Sequence, residues 1–117
     1  MGNQIYWTLI CDVNDGQLDA LKTVTKKFCE LTAQEEGAVA YEWSLSADSS
    51  VLHVHERYVD SDAALAHLGN VGPHLDELFA LVTPREIVCY GNASDAFRDA
   101  VKDFPMTYMD MFDGFNR

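Results

Sequence analysis

The sequence predicts an α+β domain with ferredoxin-like order, β-α-β-β-α-β, in which an antiparallel four-stranded sheet carries its helices on one face. Two observations support this. Apolar residues alternate with period two in four segments and recur at gaps of three and four in the segments between them. Turn-forming residues stand at the junctions: Asn14-Asp15-Gly16, Gly37, Ala47-Asp48-Ser49-Ser50, Asp60-Ser61-Asp62 and Gly72-Pro73. A chain of 117 residues fits a single domain. Its core spans about residues 4–91 and is followed by an extension over 92–117.

The first strand runs from Gln4 to Val13 and is rich in β-branched and aromatic residues. Asp15 is placed to cap the helix that follows, because a carboxylate accepts the free N–H groups of a first turn. Leu18, Leu21, Val24, Phe28 and Leu31 mark one face of that helix, which reaches about Glu36 and stops at Gly37. Ala38–Ser46 and Val51–Val59 alternate on either side of a turn cluster and read as a hairpin. Asp60-Ser61-Asp62 caps a short helix over Ala63–Leu68, broken by Gly69-Asn70. Pro73 opens another helix that runs to about Leu81, at a position where its missing N–H does no harm. Pro84–Gly91 is the fourth strand. The extension begins with a short helix, Ala96–Val101, capped by Ser94. Its end is rich in Phe and Met, so it should pack on the domain, on a partner subunit or over a pocket.

Alternation sorts the sheet into two faces. Trp7, Leu9, Cys11, Val39, Tyr41, Trp43, Leu45, Leu52, Val54 and Tyr58 form an apolar set expected beneath the helices. Tyr6, Thr8, Ile10, Glu42, Ser44, His53, His55 and Arg57 form a mixed set on the open face, which a second copy of the chain can cover. Glu56 falls in register with the apolar set. It either meets solvent or a lysine at the strand end, or is a pocket carboxylate beside Trp43 and Tyr58.

Eight basic residues against nineteen acidic ones give a net charge of −11. Such a surface repels nucleic-acid backbones and anionic membranes, so neither is an expected partner. The cysteines Cys11, Cys29 and Cys89 form no CxxC pair, and the amino-terminal residues lack the pattern of a signal peptide; both point to the cytoplasm. No apolar run is long enough to span a membrane. His53 and His55 share a strand face, with Glu42 on the neighbouring strand, but two imidazoles at that spacing are a weak metal signature, and no metal site is expected. His67 lies at the inner edge of its helix's apolar stripe, either as a packing residue or as a proton-transfer group facing a pocket. His74 follows Pro73 in a first turn, where a capping role is the simpler reading. No nucleophile elbow, P-loop, GxGxxG or HExxH is present. The residues converge on a pocket of Trp, Tyr, His and one Glu, suited to a flat apolar ligand with a few polar handles.

The strand end Glu56-Arg57-Tyr58, the acid-rich cap Asp60-Ser61-Asp62 and the run Ala63-Ala64-Leu65-Ala66-His67 resemble the antibiotic biosynthesis monooxygenase family of the dimeric α/β-barrel superfamily. The resemblance covers about residues 4–91. It implies a homodimer that pairs open sheet faces, and oxidation of an aromatic or quinol-like small molecule by O2 without metal, flavin or haem. The resemblance places His67, Glu56 and Tyr58 in catalytic positions; Trp7, Tyr41, Trp43, His74 and Phe79 are the residues expected around the substrate. Haem degradation, known in the same superfamily, is disfavoured: the first strand has no Asn in its body, and His67 stands where those enzymes carry a Trp. A non-catalytic dimeric module that binds a small hydrophobic ligand, of stress-response type, is the alternative.

Overall fold

The computed structural model describes residues 3–117. In chain order the elements are β1 (Ile5–Val13), α1 (Leu18–Thr32), β2 (Ala38–Leu45), β3 (Val51–Tyr58), α2 (Ser61–Val71), a 3₁₀ turn (Gly72–His74), α3 (Leu75–Phe79), β4 (Val82–Gly91), α4 (Asp95–Ala100) and β5 (Met106–Met109). The expected β-α-β-β-α-β core is present. One correction concerns the sheet, which has five strands in the order β2-β3-β1-β4-β5 and is mixed, because β5 lies parallel to β4. The extension therefore supplies an edge strand, with Ile87 opposite Met106 and Cys89 opposite Tyr108. Four residues are too short a run to show a period, so the pattern does not reveal it.

The helices depart from expectation in three places. Helix α1 ends at Thr32, short of Glu36 and Gly37. Its N-cap is Gln17, with no side-chain cap bond, so Asp15 does not cap it; Gly16, at φ +76°, makes the turn instead. Gly37 does not stop the helix. A Cβ there would collide with that of Ala63, so its role is the close approach of α2 to the start of β2. Helix α2 runs straight through Gly69-Asn70, because the Asn70 amide finds partners in Leu31 O and the Glu35 carboxylate. Asp60 and Ser94 do cap, accepting from Ala63 N and Phe97 N.

Two members of the apolar face are misplaced by the alternation. Val39 is 51% exposed, because an irregularity between Ala38 and Ala40 shifts the β2–β3 register around it. Leu45, at the strand end, is 39% exposed. The others face the helices as expected, and Ile5, Leu52, Val54, Tyr58, Phe28 and Phe97 anchor the core. The cysteines are thiols, and burial pushes Cys11 (with Asp12 adding to the effect) and Cys89 up to about 11, as inert small hydrophobes. No helix among the described residues is long and apolar enough to cross a membrane.

Candidate functional site

The site lies between the sheet and the helices. Strand β3 runs beside β1 with Glu56 opposite Trp7, and beside β2 with Glu56 opposite Tyr41. Period two therefore carries Glu56 inward with Val54 and Tyr58, where it is 6% exposed. No lysine meets it. Its Oε2 accepts from Trp7 Nε1–H at 2.9 Å, and its Oε1 accepts from Tyr58 O–H at 2.8 Å. The same Oε1 lies 3.1 Å from His67 Nε2. A buried carboxylate otherwise costly to hold is thus matched by three donors.

Helix α2 delivers His67 from above, 2% exposed. Its Nδ1 lies 2.9 Å from Glu35 Oε2, so one imidazole spans two carboxylates. Asn70, one turn along α2, donates to the same Glu35 oxygen at 2.9 Å and ties it to the end of α1. Burial works against the charged imidazolium, but the hydrogen bonds and charges of Glu56 and Glu35 outweigh it and hold the His67 pKa above its ordinary value. Tyr58 is pushed upward by burial, by the Glu56 charge and by its hydrogen bond to Glu56, so it remains a phenol donor. Aromatic rings sheath the network: Tyr58 packs 4.9 Å from His67 and 5.1 Å from Trp7, centroid to centroid.

A cavity of about 70 Å³ opens against this network, lined by Trp7, Tyr41, Trp43, Glu56, His67 and Phe79 together with apolar residues of α2, α3, β4 and α4. Phe104 and Met106 of the extension complete the wall, and Phe104 lies 6.5 Å from Phe79, centroid to centroid. Tyr58 stands behind Glu56 rather than on the cavity surface. His74 is half-buried on the 3₁₀ turn and makes no side-chain cap bond, and it is not among the cavity's lining residues. Glu35 and Asn70 were not singled out by the sequence. A helix continued past Gly69 places Asn70 on the His67 face, and that spacing of three was the available signal.

On the open face, Arg57 lies over the Tyr6 ring, which stacks on Tyr90 at 5.3 Å. His55 Nδ1 is 3.1 Å from Thr8 Oγ1, and His53 is exposed. Among the described residues no group of three or more His, Cys, Asp and Glu is placed to hold a metal ion.

Solved structures of similar fold include MupZ from Pseudomonas fluorescens, at TM-score 0.89 and 22% identity over 98% of this chain and 95% of that one. SnoaB from Streptomyces nogalater, a cofactor-independent oxygenase, matches at TM-score 0.67 and 20% identity over 79% and 95% of the two chains. Rv0793 from Mycobacterium tuberculosis matches at TM-score 0.65 and 21% identity, over 79% and 95%. At such identities these likenesses establish the fold. No curated protein matches the chain. The sequence profile of the antibiotic biosynthesis monooxygenase family matches residues 11–81, well over half the chain and the stretch that carries Glu35, Glu56, His67 and Asn70. The chain belongs to the antibiotic biosynthesis monooxygenase family.

Proposed function

We propose that the protein is a cofactor-independent monooxygenase that oxidises an aromatic, quinol-like small molecule with O2. The observation that carries this reading is the Glu35–His67–Glu56 chain set into the wall of an otherwise apolar cavity. A desolvated acid–base group facing an aromatic-lined cavity suits removal of a phenolic proton. The electron-rich anion then gives its electrons to O2. One oxygen atom enters the ring as a carbonyl, and the other leaves as water with the two hydrogens lost by the substrate. Glu56, whose carboxylate lines the cavity, receives the proton and passes it to Nε2 of the neutral His67 imidazole. Glu56 stabilises the imidazolium that results, Glu35 and Asn70 fix the ring, and Tyr58 and Trp7 hold Glu56. The SnoaB likeness and the family membership support the oxygenase class.

The resting cavity is smaller than the roughly 150 Å³ that takes up benzene in a packed protein core. Substrate entry therefore requires the Phe79–Phe104 wall to part. In this reading a second copy of the chain covers the face of Tyr6, Tyr90 and Arg57 by sheet-to-sheet pairing, and the homodimer works in the cytoplasm. Light scattering at twice the 13.1 kDa chain mass checks the dimer.

The test is oxygen uptake by the purified, metal-stripped protein across hydroquinones and polycyclic phenols. Uptake above the enzyme-free rate is expected, falling about 10²-fold or more in His67→Gln and in Glu56→Gln. Binding of these compounds without uptake would instead make the cavity that of a non-catalytic ligand-binding module.

A further inference from the structure

The cavity wall carries charge of one sign. Among the described residues, no Lys or Arg lines it. The basic residues that adjoin lining positions in sequence are turned away. Lys27, beside Phe28, is paired with Glu77 at the surface. Arg57, beside Glu56, lies on the opposite face of the sheet, over the Tyr6 ring and bonded to Gln4 Oε1. Arg98, beside Phe97, is exposed over the Tyr108 ring. The ionisable groups at the wall are Glu56, His67 and Tyr41, with Glu35 behind His67. Burial and the Glu56 charge push Tyr41 up, so it stays a neutral phenol.

Two carboxylates thus share one imidazole. At least one negative charge is uncompensated, whether His67 is protonated or neutral. The donors nearest that charge are already taken: Trp7 N–H and Tyr58 O–H by Glu56, and both His67 nitrogens by Glu35 and Glu56. An ion that enters such a cavity gives up its hydration. A cation recovers part of that loss from the carboxylates and from the faces of the surrounding aromatic rings. An anion recovers nothing there and is repelled as well.

We infer that the cavity selects its ligand by the sign of its charge: it admits neutral and cationic aromatic rings and excludes anionic ones, with Glu35 and Glu56 as the residues that set the rule. The inference rests on the reading of this cavity as the substrate site and adds to it a chemical requirement. A phenol meets it by entering protonated and losing its proton only inside. A ring that bears a carboxylate meets it only after that group has been masked as an ester or amide.

Benzamidinium, nitrobenzene and benzoate test this, because they share one planar shape and carry a positive, no and a negative charge. Displacement of fluorescent 2-naphthol, uncharged at neutral pH, gives the three affinities, and the Trp7 indole signal in ¹H–¹⁵N spectra places the ligands in the cavity. The series is run at about 0.5 M salt, where repulsion from the acidic surface is screened and a buried preference persists. Benzoate should bind about 100-fold more weakly than nitrobenzene, and benzamidinium at least about tenfold more tightly than benzoate. In the double variant Glu35→Gln/Glu56→Gln the preference for benzamidinium over benzoate should vanish or reverse. Benzoate binding within about threefold of nitrobenzene would overturn the rule. So would two equally weak ions, since the cavity would then reject charge of either sign, and so would an order seen only at low salt. Each of these leaves the cavity as the ligand site so long as nitrobenzene displaces the naphthol. Binding of none of the three, nor of the naphthol, would overturn both. The series on the unmodified protein decides the matter even if the double variant fails to fold.

Discussion

His67 holds the two ends of its own argument. Its pKa is raised in the folded chain because two carboxylates outweigh burial. The stabilisation from the paired imidazolium is therefore fully present below the unfolded value of about 6.5 and is lost as pH rises through the folded value. Denaturant midpoints measured across that interval should fall with increasing pH, and the His67→Gln chain should lose that part of the slope. Activity should run the other way. The neutral imidazole is the proton acceptor, so enzyme-dependent oxygen uptake should rise with pH, with a midpoint above the ordinary histidine value. A profile that falls with pH would make His67 the acid in the reaction. Glu35→Gln removes one of the two charges, and Asn70→Ala frees the same Glu35 carboxylate from the amide that holds it. Both should lower the His67 titration midpoint seen by NMR, Glu35→Gln more strongly, and both should shift the activity profile the same way. Only part of this was legible in the sequence. Glu56 betrayed itself as a charge at an apolar register, and His67 as a polar residue at the edge of an apolar stripe. Their pairing was not legible from spacing, because Glu35 lies 32 positions from His67 and meets it only when α1 ends before it.

Glycine played opposite parts in the elements. Gly37 and Gly69 both read as helix breakers, and neither acts as one. At Gly37 the backbone of β2 approaches α2 so closely that an added methyl strikes the Ala63 side chain and leans on Val59. Gly37→Ala should destabilise by about 1–3 kcal/mol through overpacking and push α2, with His67, away from the sheet. At Gly69 nothing lies within reach of an added Cβ, and the residue is mid-helix. Gly69→Ala should stabilise by up to about 1 kcal/mol through helix propensity alone. Thermal melts of the pair separate the two roles, and equal shifts would refute the packing account. Local chemistry predicted a break at Gly69-Asn70, but the tertiary partners Leu31 and Glu35 override it. The hairpin was legible for the converse reason: its turn is self-contained. Asp48 Oδ1 accepts from Ser46 O–H, Ser50 N–H and Ser50 O–H, and those bonds hold the Asp48 carboxyl down at about 2.

The extension divides at Met109, and that division gives a prediction for the whole molecule. Phe104, Met106 and Tyr108 are half-buried, the first two lining the cavity and the third under the Arg98 guanidinium. Beyond them Met111, Phe112 and Phe115 are exposed, Phe112 completely. A chain ending at Asp103 loses β5, bares the β4 edge and opens the Phe79 side of the cavity. It should melt several degrees lower, because each well-buried apolar side chain contributes about 1.5–3 kcal/mol and these three are half-buried. Its ligand affinity should fall as well, since water then reaches the His67 network. A chain ending at Met109 removes only side chains that touch little of their own domain. As a single chain it should keep its melting temperature and its cavity. Exposed Met and Phe residues in a chain of net charge −11 nevertheless form an apolar patch that calls for a cover. If a second copy provides it, the shorter truncation shifts the light-scattering mass toward one chain while leaving ligand affinity in place. Affinity lost with the longer truncation and mass lost with the shorter one would assign the two halves of the extension to separate tasks. Full melting temperature and affinity in the chain ending at Asp103 would show that β5 neither seals the cavity nor supports the sheet.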